Sequence, residues 1–298
     1  MSERTTYALD DGVATITLDD GKVNALSSMM LGAISGDLDR AEADGAAVVL
    51  TGRAATLSAG FDLRCPADEW PRMLVDGARL AERLLSFPHP TVIACNGNAI
   101  AMGAFLLLAA DLRIGIEGEF AIGLNEVAIG MTMPWFGIAL ARHRLTRPAY
   151  DRCAVTGGLL TPQEALTAGF LDRVVTPDAL AATAAESART LRGLDQAALR
   201  VTLGRLGIGA GDGVEHQGVE VAEAVRHVVD HGGDGVVVDD VGGHRRGVSA
   251  GSADGAHHGV GLPPAIAVVD DDVGAGAREV SGDLGSQSAG RARDQCDW

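Results

Sequence analysis

At 298 residues, with 47% hydrophobic and 21% charged residues, the chain is long enough for one large or two ordinary globular domains. Its 40 acidic residues outnumber 24 basic ones, and the net charge of -16 makes nucleic acid and anionic membrane surfaces poor partners. The polar start has no signal- or transit-peptide character, the longest apolar run (99–110) is too short to cross a bilayer, and Cys65, Cys95, Cys153 and Cys296 lack metal-ligand spacing. The expectation is a cytoplasmic protein with reduced thiols, no membrane contact and no metal.

In chain order, Tyr7 to Leu9 and Val13 to Leu18 flank Asp10-Asp11-Gly12 and predict a β-hairpin. Met29 to Ala43 carries Met30, Ile34, Leu38 and Ala41 at helical spacing. Ala47 to Leu50 and Thr91 to Cys95 are short continuous apolar strands of the kind buried in a parallel or mixed sheet. A helix is predicted from about Ala101 or Met102, after the turn at Asn96-Gly97. Thr161-Pro162-Gln163-Glu164 is a capping box that opens another helix. Thr176-Pro177-Asp178 opens a further one, running to about Leu191. Alternating strands and helices define an α/β domain over residues 1–200.

Beyond about Leu203 the composition changes. Six of the eight histidines lie there, and Trp298 is the only aromatic. Residues 201–298 are predicted to be a Gly-rich tail, either disordered or a shifted reading frame of GC-rich DNA, with a short helix at Val219 to Val229. Its Gly207-Ile208-Gly209-Ala210-Gly211-Asp212-Gly213 mimics a dinucleotide-binding loop without the flanking strand and helix.

Three segments of the first 200 residues have the character of a site. Ser58 to Leu63, SAGFDL, is rich in small residues that admit a ligand to the backbone, and Phe61 offers an N–H there. Asn96 to Asp111, NGNAIAMGAFLLLAAD, places small residues ahead of an apolar helix whose first-turn amides are free to hold a negative oxygen. Phe120 to Gly130 sets a lone carboxylate, Glu126, in a mostly apolar run, where desolvation raises its pKa and makes it a proton carrier.

The order and spacing of SAGFDL, CNGNAIAMGAF (Cys95 to Phe105), LNEVAIG (Leu124 to Gly130) and LTPQEALTAGFLDRVV (Leu160 to Val175) resemble the crotonase, or enoyl-CoA hydratase/isomerase, family. The resemblance covers about residues 5–200 and implies a spiral of ββα units that binds acyl-CoA, with coenzyme A as part of the substrate and no separate cofactor. It implies that the Phe61 and Met102 amides hold the thioester oxygen, each worth on the order of 3 kcal/mol, and that Glu126 carries the proton. Lys22 and Ala25, within KVNAL, fall on the adenine side, and Phe61, Asp62, Leu63 and Arg64 along the pantetheine and phosphate path.

Two departures from the family pattern matter. Met102 replaces a glycine, so its side chain must turn away from the oxyanion. Phe105 stands where hydratases of the family carry a second glutamate. A phenyl ring cannot hold or activate water, so double-bond isomerisation through Glu126 is favoured over hydration. Hydration would need another acid, Asp68 or Glu69, from a loop. A different class of reading is a catalytically inactive CoA-binding protein. The family assembles as homotrimers or hexamers through C-terminal helices that this tail does not resemble.

Overall fold

The computed structural model describes residues 4–205 apart from residue 54, and side chains up to residue 203. The elements are β1 (Thr5–Asp10), β2 (Val13–Leu18), α1 (Ser28–Ala43), β3 (Ala47–Gly52), β4 (Thr56–Ser58), α2 (Trp70–Ser86), β5 (Thr91–Cys95), β6 (Asn98–Ile100), α3 (Met102–Ala109), β7 (Leu112–Ile116) and β8 (Ile122–Gly123). They continue with a 3-10 turn at Val127–Ile129, α4 (Trp135–Arg144), α5 (Arg147–Thr156), β9 (Leu159–Leu160), α6 (Pro162–Ala168), β10 (Arg173–Val175), a 3-10 turn at Pro177–Ala179, α7 (Leu180–Arg192) and α8 (Gln196–Arg205). The predicted hairpin, the α1 helix, both apolar strands and the capped α6 are all present. Helix α8 runs across residue 200. The dinucleotide-like loop, the Val219 to Val229 helix, the tail histidines and Cys296 lie outside the described residues.

The repeating unit is strand, strand, helix. After the hairpin and α1 come β3-β4-α2, β5-β6-α3 and β7-β8-α4. In each of these three units the first strand joins a six-stranded sheet of order β1-β2-β3-β5-β7-β10, and the second joins a four-stranded sheet of order β4-β6-β8-β9. Strands β2, β3, β5, β7 and β10 run parallel, with β1 antiparallel at the edge.

The large sheet is covered on both faces, which is why its central strands read as unbroken apolar runs. Ala47 and Val49 of β3 pack with Val92, Ala94 and Ile114 beneath Leu180, Ala184 and Ala188 of α7. Val48 and Leu50 point into the main core with α1, α2 and α3. The end of α3 is held from α4: Arg144 donates to Leu108 O (3.0 Å) and Ala110 O (2.7 Å). These are the carbonyls a helix leaves unpaired, and the cation sits at the negative end of the helix. Burial lowers the Arg144 pKa to about 10, still charged at neutral pH.

Candidate active site

Strands β4, β6 and β8 are neighbours in the small sheet and run parallel. Their C-terminal ends therefore emerge along one edge, about 4.8 Å apart from strand to strand. From β4 comes Ala59-Gly60-Phe61, from β6 comes Ala101-Met102, and from β8 comes Leu124-Asn125-Glu126. The three segments picked out in the sequence thus leave adjacent strands in order, with the α3 start in the middle.

Phe61 forms an isolated bridge with Leu26. The bridge bonds run from Leu26 N–H to Gly60 O (2.8 Å) and from Asp62 N–H to Leu26 O (3.4 Å), so the Phe61 amide is not used in it. Gly60 has a φ of 95°, which glycine adopts at little cost. A Cβ there would stand 3.0 Å from both Ile100 O and Ala101 Cβ and 3.5 Å from Met102 N, so the two segments touch.

In α3, Ala104 N–H (2.9 Å) and Phe105 N–H (3.0 Å) bond Ala101 O. Met102 and Gly103 precede these bonds, so their amides belong to the unpaired, partly positive first turn. Met102 is fully buried. A Cβ on Gly77 of α2 would lie 2.5 Å from the Phe61 ring and 3.4 Å from Met102 Cε. Both side chains accordingly run toward α2, the turn away from the α3 start that the glycine-to-methionine departure calls for. The Phe61 ring also meets Trp70 edge-on, with centroids 5.5 Å apart.

Glu126 caps the 3-10 turn, and its carbonyl accepts from Met131 N–H (2.8 Å) and Ile129 N–H (3.1 Å). Its side chain is buried at 5% exposure, and Oε2 has no hydrogen-bond partner among the described residues. Desolvation pushes its pKa from 4.5 up to about 7. The neighbouring Asn125 Oδ1 is also buried and has no partner among the described residues. Phe105 is 0% exposed, edge-on to Phe136 (5.5 Å between centroids) and lying on Gly137, where a Cβ would collide with it. It is sealed between α3 and α4. Asp68 and Glu69 are exposed in the turn before α2.

On the expected coenzyme side, Asp20 Oδ1 accepts from the N–H of Lys22 (2.7 Å) and of Asn24 (2.8 Å), and Oδ2 from that of Ala25 (2.9 Å). Burial opposes the Asp20 charge, but these bonds outweigh it and hold the carboxyl below its usual range. With the Lys22 and Ala25 amides engaged, this segment meets a ligand through other groups. Arg64 is exposed and paired with Asp62 through Nε (2.8 Å) and Nη2 (3.0 Å). Those side-chain bonds lower the Asp62 pKa and raise that of Arg64. Leu63 is also exposed. Among the described residues no group of His, Cys, Asp and Glu could hold a metal, and no helix is long and apolar enough to cross a membrane.

Strand-strand-helix repeats that send one strand each to a large and a small sheet define an α/β protein of the crotonase fold. The profile of the enoyl-CoA hydratase/isomerase family matches residues 8–204, and the chain belongs to that family. An enoyl-CoA hydratase/isomerase family protein from Pseudomonas syringae is similar at 42% identity, with 76% of this chain and 97% of that one covered and a TM-score of 0.70. An enoyl-CoA isomerase of Mycobacterium tuberculosis is similar at 38% identity, covering 77% and 99%, with a TM-score of 0.70. The chain spans about two thirds of the curated relatives it matches: 68% of one from Thermus thermophilus (37% identical) and 66% of one from Bacillus subtilis (31% identical). Both carry the name enoyl-CoA hydratase.

Proposed function

We propose that this protein moves the double bond of an enoyl-CoA from position 3 to position 2, using one carboxyl group as a proton shuttle. Glu126, ionised, takes a proton from C2. The electron pair passes into the thioester carbonyl, and the Phe61 and Met102 amides receive the developing oxyanion. The dienolate then collapses, and the protonated Glu126 returns the proton to C4. Atoms and charge balance with no added water and no cofactor beyond the coenzyme A of the substrate.

The observation that carries this reading is the pairing of Glu126 with Phe105. Glu126 is a buried acid with a free oxygen and a pKa raised to about 7, suited to both taking and giving a proton near neutrality. Phe105, at the position of a hydratase's second acid, is fully buried against Phe136 and offers neither a proton nor a seat for water. A polar group there would be needed to activate water for hydration.

The test is a paired assay of 3-enoyl-CoA isomerisation and 2-enoyl-CoA hydration, wild type against Glu126→Gln. Isomerisation is expected to exceed hydration and to fall by about 10²- to 10⁴-fold in the variant. Dominant hydration overturns the reaction assigned here. Undiminished turnover in the variant removes Glu126 from its role. CoA binding without turnover in the wild type points to the inactive binding protein.

A further inference from the structure

The Phe61 amide follows a glycine, the residue least able to hold a direction by itself, so something else must aim it. Gly60 is gripped at both ends. Its N–H donates to Ser58 Oγ (3.1 Å), and its carbonyl accepts from Leu26 N–H (2.8 Å). In a planar trans peptide the C=O of one residue points opposite to the N–H of the next. Holding Gly60 O on Leu26 therefore turns the Phe61 N–H away from Leu26. Holding Gly60 N–H on Ser58 removes the remaining rotation about φ.

Ser58 is itself fixed. It is fully buried, and its Oγ donates to Asn24 O (2.8 Å). Asn24 is also fully buried and sits at φ 53°. Its Nδ2 shares two hydrogens among Leu18 O (3.1 Å), Thr56 O (3.2 Å) and Leu57 O (3.1 Å), and its Oδ1 accepts from Asp20 N–H (3.0 Å). The same serine borders the second amide segment: a Cβ on Gly103 would stand 2.6 Å from Ser58 O and 3.0 Å from Ser58 Cβ. Ser58 thus lies between the two turns that carry the amides.

We infer that Ser58, anchored by Asn24, is a positioning residue that aims the Phe61 amide at the thioester oxygen. The inference rests on the reading of Phe61 as an oxyanion donor. Ser58→Ala deletes one buried hydroxyl and no backbone group. It leaves Gly60 free to turn about φ and swings the Phe61 N–H off its target.

The experiment uses the full chain and a chromophoric thioester, para-dimethylaminocinnamoyl-CoA, whose absorption moves to longer wavelength as its carbonyl accepts hydrogen bonds. Ser58→Ala is expected to lose about half of the red shift or more, and to lower kcat for 3-enoyl-CoA at least ~10-fold with KM changed less than about threefold. Ser58→Cys keeps a weak donor and acceptor in place and is expected to recover part of both. It also carries the test if the alanine variant does not fold. A serine that only stabilises the fold would lower the melting midpoint and leave the red shift of the folded variant at the wild-type value; that result overturns the inference. If the wild type itself gives neither shift nor turnover, the oxyanion reading falls first and this inference falls with it.

Discussion

Glu126 places an ionisable oxygen, without a hydrogen-bond partner among the described residues, in a buried position. That has a cost, and its sign is fixed. The folded protein holds the Glu126 proton more tightly than the unfolded chain does, because desolvation lifts the pKa from 4.5 to about 7. The group's contribution to stability is therefore fully present below pH 4.5 and is lost as pH rises through about 7. The upper bound is about 3 kcal/mol. Urea unfolding of wild type and Glu126→Gln across this window is expected to diverge, with the glutamine variant the more stable at pH 8. Parallel curves would mean that the carboxyl is better solvated than it stands here. Activity should move the other way. As a base Glu126 must be ionised, so kcat/KM for isomerisation is expected to rise with pH through about 7. Of the candidate site residues, Glu126, Phe61 and Met102 stand out in the sequence because each lies at a break in local pattern: a charge in an apolar run, or a stretch of small residues. Asn24 and Ser58 were not, since their bonds join residues 34 apart in sequence and composition carries no trace of such pairings.

At the scale of single elements, α3 begins under strain. Ala101 sits at φ 52°, ψ -120° as its N-cap, with no side-chain capping bond. A residue with a Cβ pays about 1–3 kcal/mol in such a region. Ala101→Gly relieves this and gives back about 0.5–1 kcal/mol through the freer unfolded chain. A net stabilisation of ~1 kcal/mol is expected in equilibrium unfolding; a loss of stability would show that the turn is not strained. The strain was invisible in the sequence, because alanine, unlike glycine or asparagine, gives no sign of a positive φ. Other elements were hidden for other reasons. Strand β6 is three residues long and β8 two, below the length at which alternation can be read. Helix α2 has no counterpart among the sequence expectations, although Pro71 near its start and Met73, Leu74, Leu80, Ala81 and Leu84 along one face carried its signal. The segment around Glu126 ends as a 3-10 turn after a two-residue strand, a departure from the apolar run it resembles.

For the molecule as a whole, the large sheet was legible through its fully buried strands, and the small one was not. Strands β3 and β5 are paired on both sides and covered on both faces, whereas β1 is an edge strand with four of its six residues exposed. Native-state hydrogen exchange should separate them. Amides of Val48 to Leu50 and Val92 to Ala94 are expected to exchange only through global unfolding, and those of β1 through local opening. Equal protection would mean that the edge is covered by something further.

The small sheet has one more consequence. Each candidate group rides on a different repeat of the chain and follows its own short strand, so under the proposed mechanism the grip on the oxygen and the handling of the proton belong to separate segments. On the proposed reading, a change confined to the segment after β8 would alter which bond is made or broken while the clamp on the carbonyl stays as it was. One scaffold can in this way host neighbouring chemistries by exchanging a single cartridge.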